Sequence, residues 1–289
     1  MTIVVALWRR LPVVLRASVT GLLVAIAGTG PWALLVAANL KHGSAVPWAV
    51  LPTALYLWLF WLYARGAGWP RATAEARGTG SRVHRLSDDV WGTALLAGGV
   101  GIVGVLVLQN VLGRMVTLPQ QRDIDPSRYP VLTVAAWAVM GALVAGITEE
   151  VAFRGYLQRP IERRHGPVVA ILVTGTLFGF LHFTHPEVTL ALLPFYMAIA
   201  AVYGTLAYLT DSTLPGIVLH AGGNMLGAIG LFAMGRSSWG ASSGPDALIW
   251  STGPDASFWL SLAMLAGTAA VTVMAFRELA RVARGAPRA

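Results

Sequence analysis

The sequence predicts an all-α protein, a polytopic membrane bundle of about eight transmembrane helices. Two features carry that prediction. Of its 289 residues 56% are hydrophobic and only 12% charged, against about 25% charged in soluble domains. The apolar residues also gather in runs of roughly 20, the length that crosses a bilayer as a helix. Cysteine is absent, which excludes disulfides, a thiolate nucleophile and cysteine-bound zinc. The net charge of +8 would suggest nucleic acid in a soluble chain. Here the basic residues fall between apolar runs, as orientation signals do, and no nucleic-acid binding is expected.

The first apolar run, about 17–40, follows Arg9, Arg10 and Arg16. It is too long for the apolar region of a signal peptide and has no convincing cleavage site, so it reads as a retained span, interrupted by Gly28, Gly30 and Pro31. Further runs occupy about 46–64, 91–113, 131–157, 166–183, 188–209, 214–234 and 257–276. The fifth is short and contains glycine. They divide the chain into N-terminal helices and loops (1–130), a four-helix core (131–234), and a last loop, helix and basic tail (235–289).

Eight spans place Arg9, Arg10 and Arg16, the arginines of the 65–89 connection, Arg159, Arg163 and Arg164, and the tail arginines on one side. The positive-inside rule then puts both termini in the cytoplasm of a multi-pass cell-membrane protein. Polar, Gly- and Pro-rich segments at 120–130 and 237–256 read as exposed connectors, and His42, His84, His165 and His185 as loop or boundary residues.

Inside the fourth span lies TEEVAFRG, residues 148–155. An ionisable side chain at the centre of a membrane helix costs about 2.5–3.5 kcal/mol on insertion scales and is a functional candidate by default. Glu150 and Arg154 are four apart and share a helix face, whereas Glu149 points about 100° away. Glu150 with Arg154 reads as a structural pair, and Glu149 as the free carboxylate. The fifth span ends in FGFLH, with Phe178 and His182 four apart, and the seventh contains HAGGN, with His220 and Asn224 four apart.

Taken singly, each group has a plainer reading: an inter-helix tie for the glutamates, an interfacial histidine for His182, hydrogen-bonded glue for His220 and Asn224. Together they supply what amide hydrolysis requires. A carboxylate in a low-dielectric site is a stronger base toward water, a histidine shares that water or passes its proton, and a histidine with an amide donates to the oxyanion. Alternatively, Glu149, His182 and His220 are a two-histidine, one-glutamate set for catalytic zinc. Phe178 reads as packing.

The Glu149, Glu150 and Arg154 motif, Phe178 with His182, and His220 with Asn224 resemble, in that order, the CPBP family of intramembrane proteases. That family includes the type II CAAX prenyl endopeptidases and abortive-infection-like proteins. The resemblance covers about residues 140–231. It implies an eight-helix bundle with the catalytic cavity formed by helices four to seven and open toward the membrane and cytosol. It further implies water activation by Glu149 with His182, an oxyanion held by His220 and Asn224, and support from Glu150 and Arg154. Metal-independent glutamate chemistry is preferred, with no cofactor, because neither a fourth tidy ligand nor an HExxH helix occurs; zinc is the alternative. The expected partners are the bilayer and a membrane protein or peptide substrate, lipidated or not. Two other classes compete: a non-proteolytic scaffold or bacteriocin-immunity-like protein of the same fold, and a proton-coupled transporter using Glu149.

The boundaries raise one conflict. Glu149 lies about eight residues from the cytoplasmic end of the fourth span and His182 about sixteen from the start of the fifth, a depth difference of about 12 Å. A shared site requires the fourth helix to sit higher, or the fifth to begin in the cytosol near Arg163 and Arg164, and the fifth is expected to protrude there.

Overall fold

The computed structural model describes residues 3–42, 45–116, 128–182, 190–233 and 248–285. His185 and most of the connectors at 120–130 and 237–256 lie outside them. The described residues form helices: α1 (Ile3–Arg10), α2 (Val13–Lys41), α3 (Val50–Ala64), α4 (Ala74–Ser81), α5 (Asp88–Met115), α6 (Val131–Glu150), a π-helical segment (Val151–Gln158), α7 (Arg159–His182), α8 (Leu193–Thr210), α9 (Leu214–Ala233), α10 (Ile249–Thr252) and α11 (Ala256–Gly285). Each of the eight expected apolar runs carries a helix. Five helical stretches are long and apolar enough to cross a membrane, and one of these, Val131–His182, contains two of the expected spans. The chain is a polytopic helical bundle.

The first span is not broken by its proline. Pro31 lies inside α2, where it supplies no N–H to the carbonyl four residues back, that of Ala27. The Tyr56 hydroxyl, from α3, donates to that carbonyl instead. An inserted donor of this kind is what lets a membrane helix keep a proline. At the far end of α2 the buried Asn39 closes the turn into α3: its amide donates to the Val46 carbonyl at 3.1 Å, and its oxygen accepts from Ala49 N–H at 3.1 Å.

The depth conflict is settled by an unexpected feature. The helical path that begins at Val131 does not end near residue 157. It runs through the π segment to His165 and reverses at Gly166, whose φ of 82° and ψ of 166° lie outside the helical region. Pro167 then opens the returning helix. Measured from that reversal, Glu149 and His182 are both about 25 Å along their helices at roughly 1.5 Å per residue. The extra turns bearing Arg163 and Arg164 thus belong to the fourth helix and not, as one expectation had it, to the start of the fifth.

Packing around this long helix is close. A methyl at Gly28 would come within 2.5 Å of Thr148 Cβ, one at Gly21 within 2.6 Å of Leu157 Cβ, and one at Gly146 within 2.8 Å of Ala221 Cβ. Small residues thus let α2 press on one side and α9 on the other, as membrane helix interfaces favour. A buried core of Ala152, Phe153, Leu157, Ile161, Phe178 and Tyr196 ties the π segment to α7 and α8. The last helix is peripheral, packed on α5, with only Phe258 and Leu279 buried.

Two arginines counted above as loop cations are interior ties. Arg77 is 4% exposed, lies over the Tyr63 ring at 4.4 Å and donates from Nε to the Tyr63 carbonyl. Arg82, 2% exposed, grips Glu162 with both terminal nitrogens and Asp211 with Nε at 3.0 Å. Asp211 also pairs with Arg159 at 3.0 Å. This network binds the α4–α5 and α8–α9 connections to the end of the π segment.

Candidate active site

The site forms where α9 lies against the junction of α6 and the π segment. Glu150 is fully buried, and Arg154 Nη1 lies 3.3 Å from its Oε1. That pairing follows from the spacing in the sequence. What the spacing does not reveal is the third member: His220 Nδ1 lies 3.0 Å from the same Glu150 Oε1. A carboxylate only accepts, so Nδ1–H donates. This places the lone pair of a neutral ring on Nε2, which faces Glu149 Oε2 at 3.8 Å. That separation is too long for a direct hydrogen bond and suits a bridging water. The Glu149 side chain is 18% exposed and that of Glu150 1%, so the two adjacent carboxylates meet different environments.

Burying Arg154 puts a cation among rings. Its guanidinium carbon is 5.3 Å from the Phe178 centroid, 5.3 Å from that of Tyr203 and 5.9 Å from that of Phe153. These are cation–π distances, and none of its three nitrogens makes a well-directed hydrogen bond. Tyr203 stacks on the other side against His220, with centroids 5.4 Å apart and planes at 12°. Phe178 continues to His182 at 4.5 Å, which in turn faces Tyr196 at 4.7 Å. His182 Nδ1 lies 2.8 Å from the Phe178 carbonyl. A carbonyl cannot donate, so that nitrogen carries the proton and Nε2 the lone pair of the neutral ring.

The structure therefore joins Glu150, Arg154 and His220 by polar contact, sets Glu149 3.8 Å from His220, and links Phe178 and His182 through rings. Phe178 does more than fill space, since it separates Arg154 from His182. Asn224 lies one helical turn beyond His220 and is exposed. The group that Glu149 faces directly is His220. Among the described residues no three His, Asp or Glu side chains meet as a metal-holding group.

Three contributors escaped the sequence reading. Tyr196 and Tyr203 are seven residues apart and so share a face of α8, a spacing visible in the sequence. Gly216 stands one turn before His220. A Cβ there would come within 2.7 Å of Glu150 Oε2. Its missing side chain is what allows the carboxylate to lie against α9. Because that carboxylate is already fixed by Arg154 and His220, it cannot simply swing away. We expect Gly216→Ala to lower stability by about 1–3 kcal/mol and turnover by about 10- to 100-fold through displacement of His220; kcat and thermal unfolding, measured together, check this.

No curated protein and no solved structure matches the chain. Residues 131–226, which span the long fourth helix and continue through His182 to Asn224, match the family model described as type II CAAX prenyl endopeptidase Rce1-like. Over these residues the chain is similar to the Rce1-like type II CAAX prenyl endopeptidases, in agreement with the three motifs and the helices that carry them.

Proposed function

We propose that the protein is an intramembrane endopeptidase that cleaves a peptide bond of a membrane-associated or lipid-modified substrate by means of a glutamate-activated water. The observation that carries this reading is the 3.8 Å approach of Glu149 Oε2 to His220 Nε2, with His220 anchored from behind by Glu150. One water donates a hydrogen to each acceptor and turns a lone pair toward the scissile carbonyl. Glu149 takes the proton as the water oxygen bonds to carbon. The Asn224 amide, on the same face as His220, donates to the developing oxyanion. Collapse of the tetrahedral intermediate breaks the C–N bond, and the proton held by Glu149 passes to the leaving amine, directly or through His182 Nε2.

Glu150 and Arg154 touch no substrate in this scheme. They are positioning residues that fix the His220 tautomer and ring plane. Membrane-bound peptides and the transmembrane anchors of other proteins are the natural substrate class, and the protein acts in the cell membrane with both termini in the cytoplasm.

The test is cleavage of a fluorogenic, lipid-bearing peptide by purified protein in detergent, with and without chelator and added zinc. Activity that survives the chelator supports the glutamate mechanism. Activity lost to the chelator and restored by zinc replaces it with a metal centre. If a membrane-anchored peptide library also gives no cleavage, the scaffold reading takes its place.

A further inference from the structure

Behind the active-site helix lies a second feature that the proteolytic scheme does not use. Two cavities, of about 670 Å³ and 800 Å³, abut at Trp8, Thr20 and Tyr156, which line both. The first runs between α2 and α3 and is walled by apolar side chains such as Leu23, Leu59, Phe60 and Val151. The second opens toward the basic end of the bundle, where Arg16, Arg159, Arg163 and Glu75 line it. One continuous depression is thus apolar along its length and polar at one end.

The polar end holds buried donors without partners. Arg159 is 7% exposed; Nη2 is spent on Asp211 and Nη1 on the Thr79 carbonyl, yet Nε makes no hydrogen bond. Arg16 Nε is likewise buried and unpartnered. An orphan buried N–H costs free energy, and both orphans belong to arginines that line the mouth of the apolar groove, where an anionic headgroup would offset their charge. With Arg159 balanced by Asp211, the remaining Arg16 and Arg163 outweigh Glu75, so the mouth carries net positive charge.

We propose that this groove holds one anionic phospholipid, with an acyl chain along the α2–α3 half and the phosphate at Arg16, Arg159 and Arg163. Basic pockets between helices at the cytoplasmic face suit such headgroups. The site is coupled to the catalytic helix by construction: Val151 and Tyr156 line the groove, and Arg154, on the same π segment, holds Glu150. A bound lipid braces the outer face of the segment whose inner face positions His220.

The inference does not rest on proteolysis, and its test reads binding in the Glu149→Gln protein, where turnover plays no part. Native mass spectrometry of that protein with phosphatidylglycerol is expected to show one lipid retained per chain. Phosphatidylcholine is expected to be retained about tenfold less or weaker still, as is phosphatidylglycerol by Arg16→Gln/Arg163→Gln. Leu23→Trp, which fills the apolar half, should also lose it. Both variants should unfold at the parental temperature in lipid-free detergent, since Leu23 and Arg163 are exposed and the Arg16 Nε that glutamine removes is a buried donor without a partner. Retention that is absent in the parent, unchanged in the variants or equal for the two lipids overturns the proposal. Displacement of phosphatidylglycerol by an equimolar lipidated peptide also overturns it, assigning the groove to substrate.

Discussion

Glu149→Gln is expected to lower cleavage by about 10³-fold or more, in the range that removal of a general base produces, while the protein still inserts and unfolds at the parental temperature. The two halves of this expectation have separate causes. Chemically, an amide cannot take the proton from water, so the nucleophile is no longer generated. Structurally, Glu149 carries little load: its side chain is partly exposed, and its approach to His220 is 3.8 Å, beyond hydrogen-bond reach. Glutamine keeps the volume and breaks no buried pair. The comparison that gives the result its meaning is His220→Ala, which should abolish cleavage equally but also destabilise, because it removes the hydrogen bond to the buried Glu150. Both enzymes should be assayed on the same peptide, with kcat and KM resolved. Loss confined to kcat fits a group that acts in the transition state. A Glu149→Gln enzyme that keeps more than about a tenth of parental kcat would show that the base lies elsewhere.

How much of this could be seen beforehand depends on range. The pairing of Glu150 with Arg154 is local, four residues on one helix, and spacing alone announced it. So did the shared faces of Phe178 with His182 and of His220 with Asn224. What spacing cannot announce is which groups on different helices meet. That His220 Nδ1 meets Glu150 and its Nε2 faces Glu149 is decided between helices, where Gly146 and Gly216 let α6 and α9 approach at backbone distance. Those glycines were silent in the sequence, since a membrane helix tolerates glycine for several reasons. The π segment was equally silent. Its residues, VAFRGYLQ, have no unusual composition, and its effect was visible only as the depth conflict between Glu149 and His182. Arg77 and Arg82 looked like plain loop cations because burial of an arginine is decided by distant partners, here the Tyr63 ring and backbone for one and Glu162 with Asp211 for the other.

The second large effect concerns stability. Arg154→Ala and Glu150→Gln should each destabilise by about 3–5 kcal/mol, as breaking a buried ion pair from one side does. In the first variant the carboxylate stays at zero exposure with only His220 to meet it; in the second the guanidinium stays buried among Phe153, Phe178 and Tyr203 without its counter-charge. Removing both charges together, as in Glu150→Gln/Arg154→Met, should cost less than the sum, recovering about 2 kcal/mol or more, because neither remaining side chain is an uncompensated ion. Methionine also keeps favourable contact with the rings that face Arg154. Cleavage should not recover with stability. A neutral amide accepts from His220 Nδ1 more weakly than a carboxylate does, so the histidine loses the anchor that fixes its tautomer and plane. Unfolding curves and kcat for the two single variants and the double variant close the cycle. Additive destabilisation would mean that Glu150 and Arg154 act through separate partners. A double variant with restored activity would make the pair a structural tie alone, and would leave Glu149 and His220 able to hold the water without it.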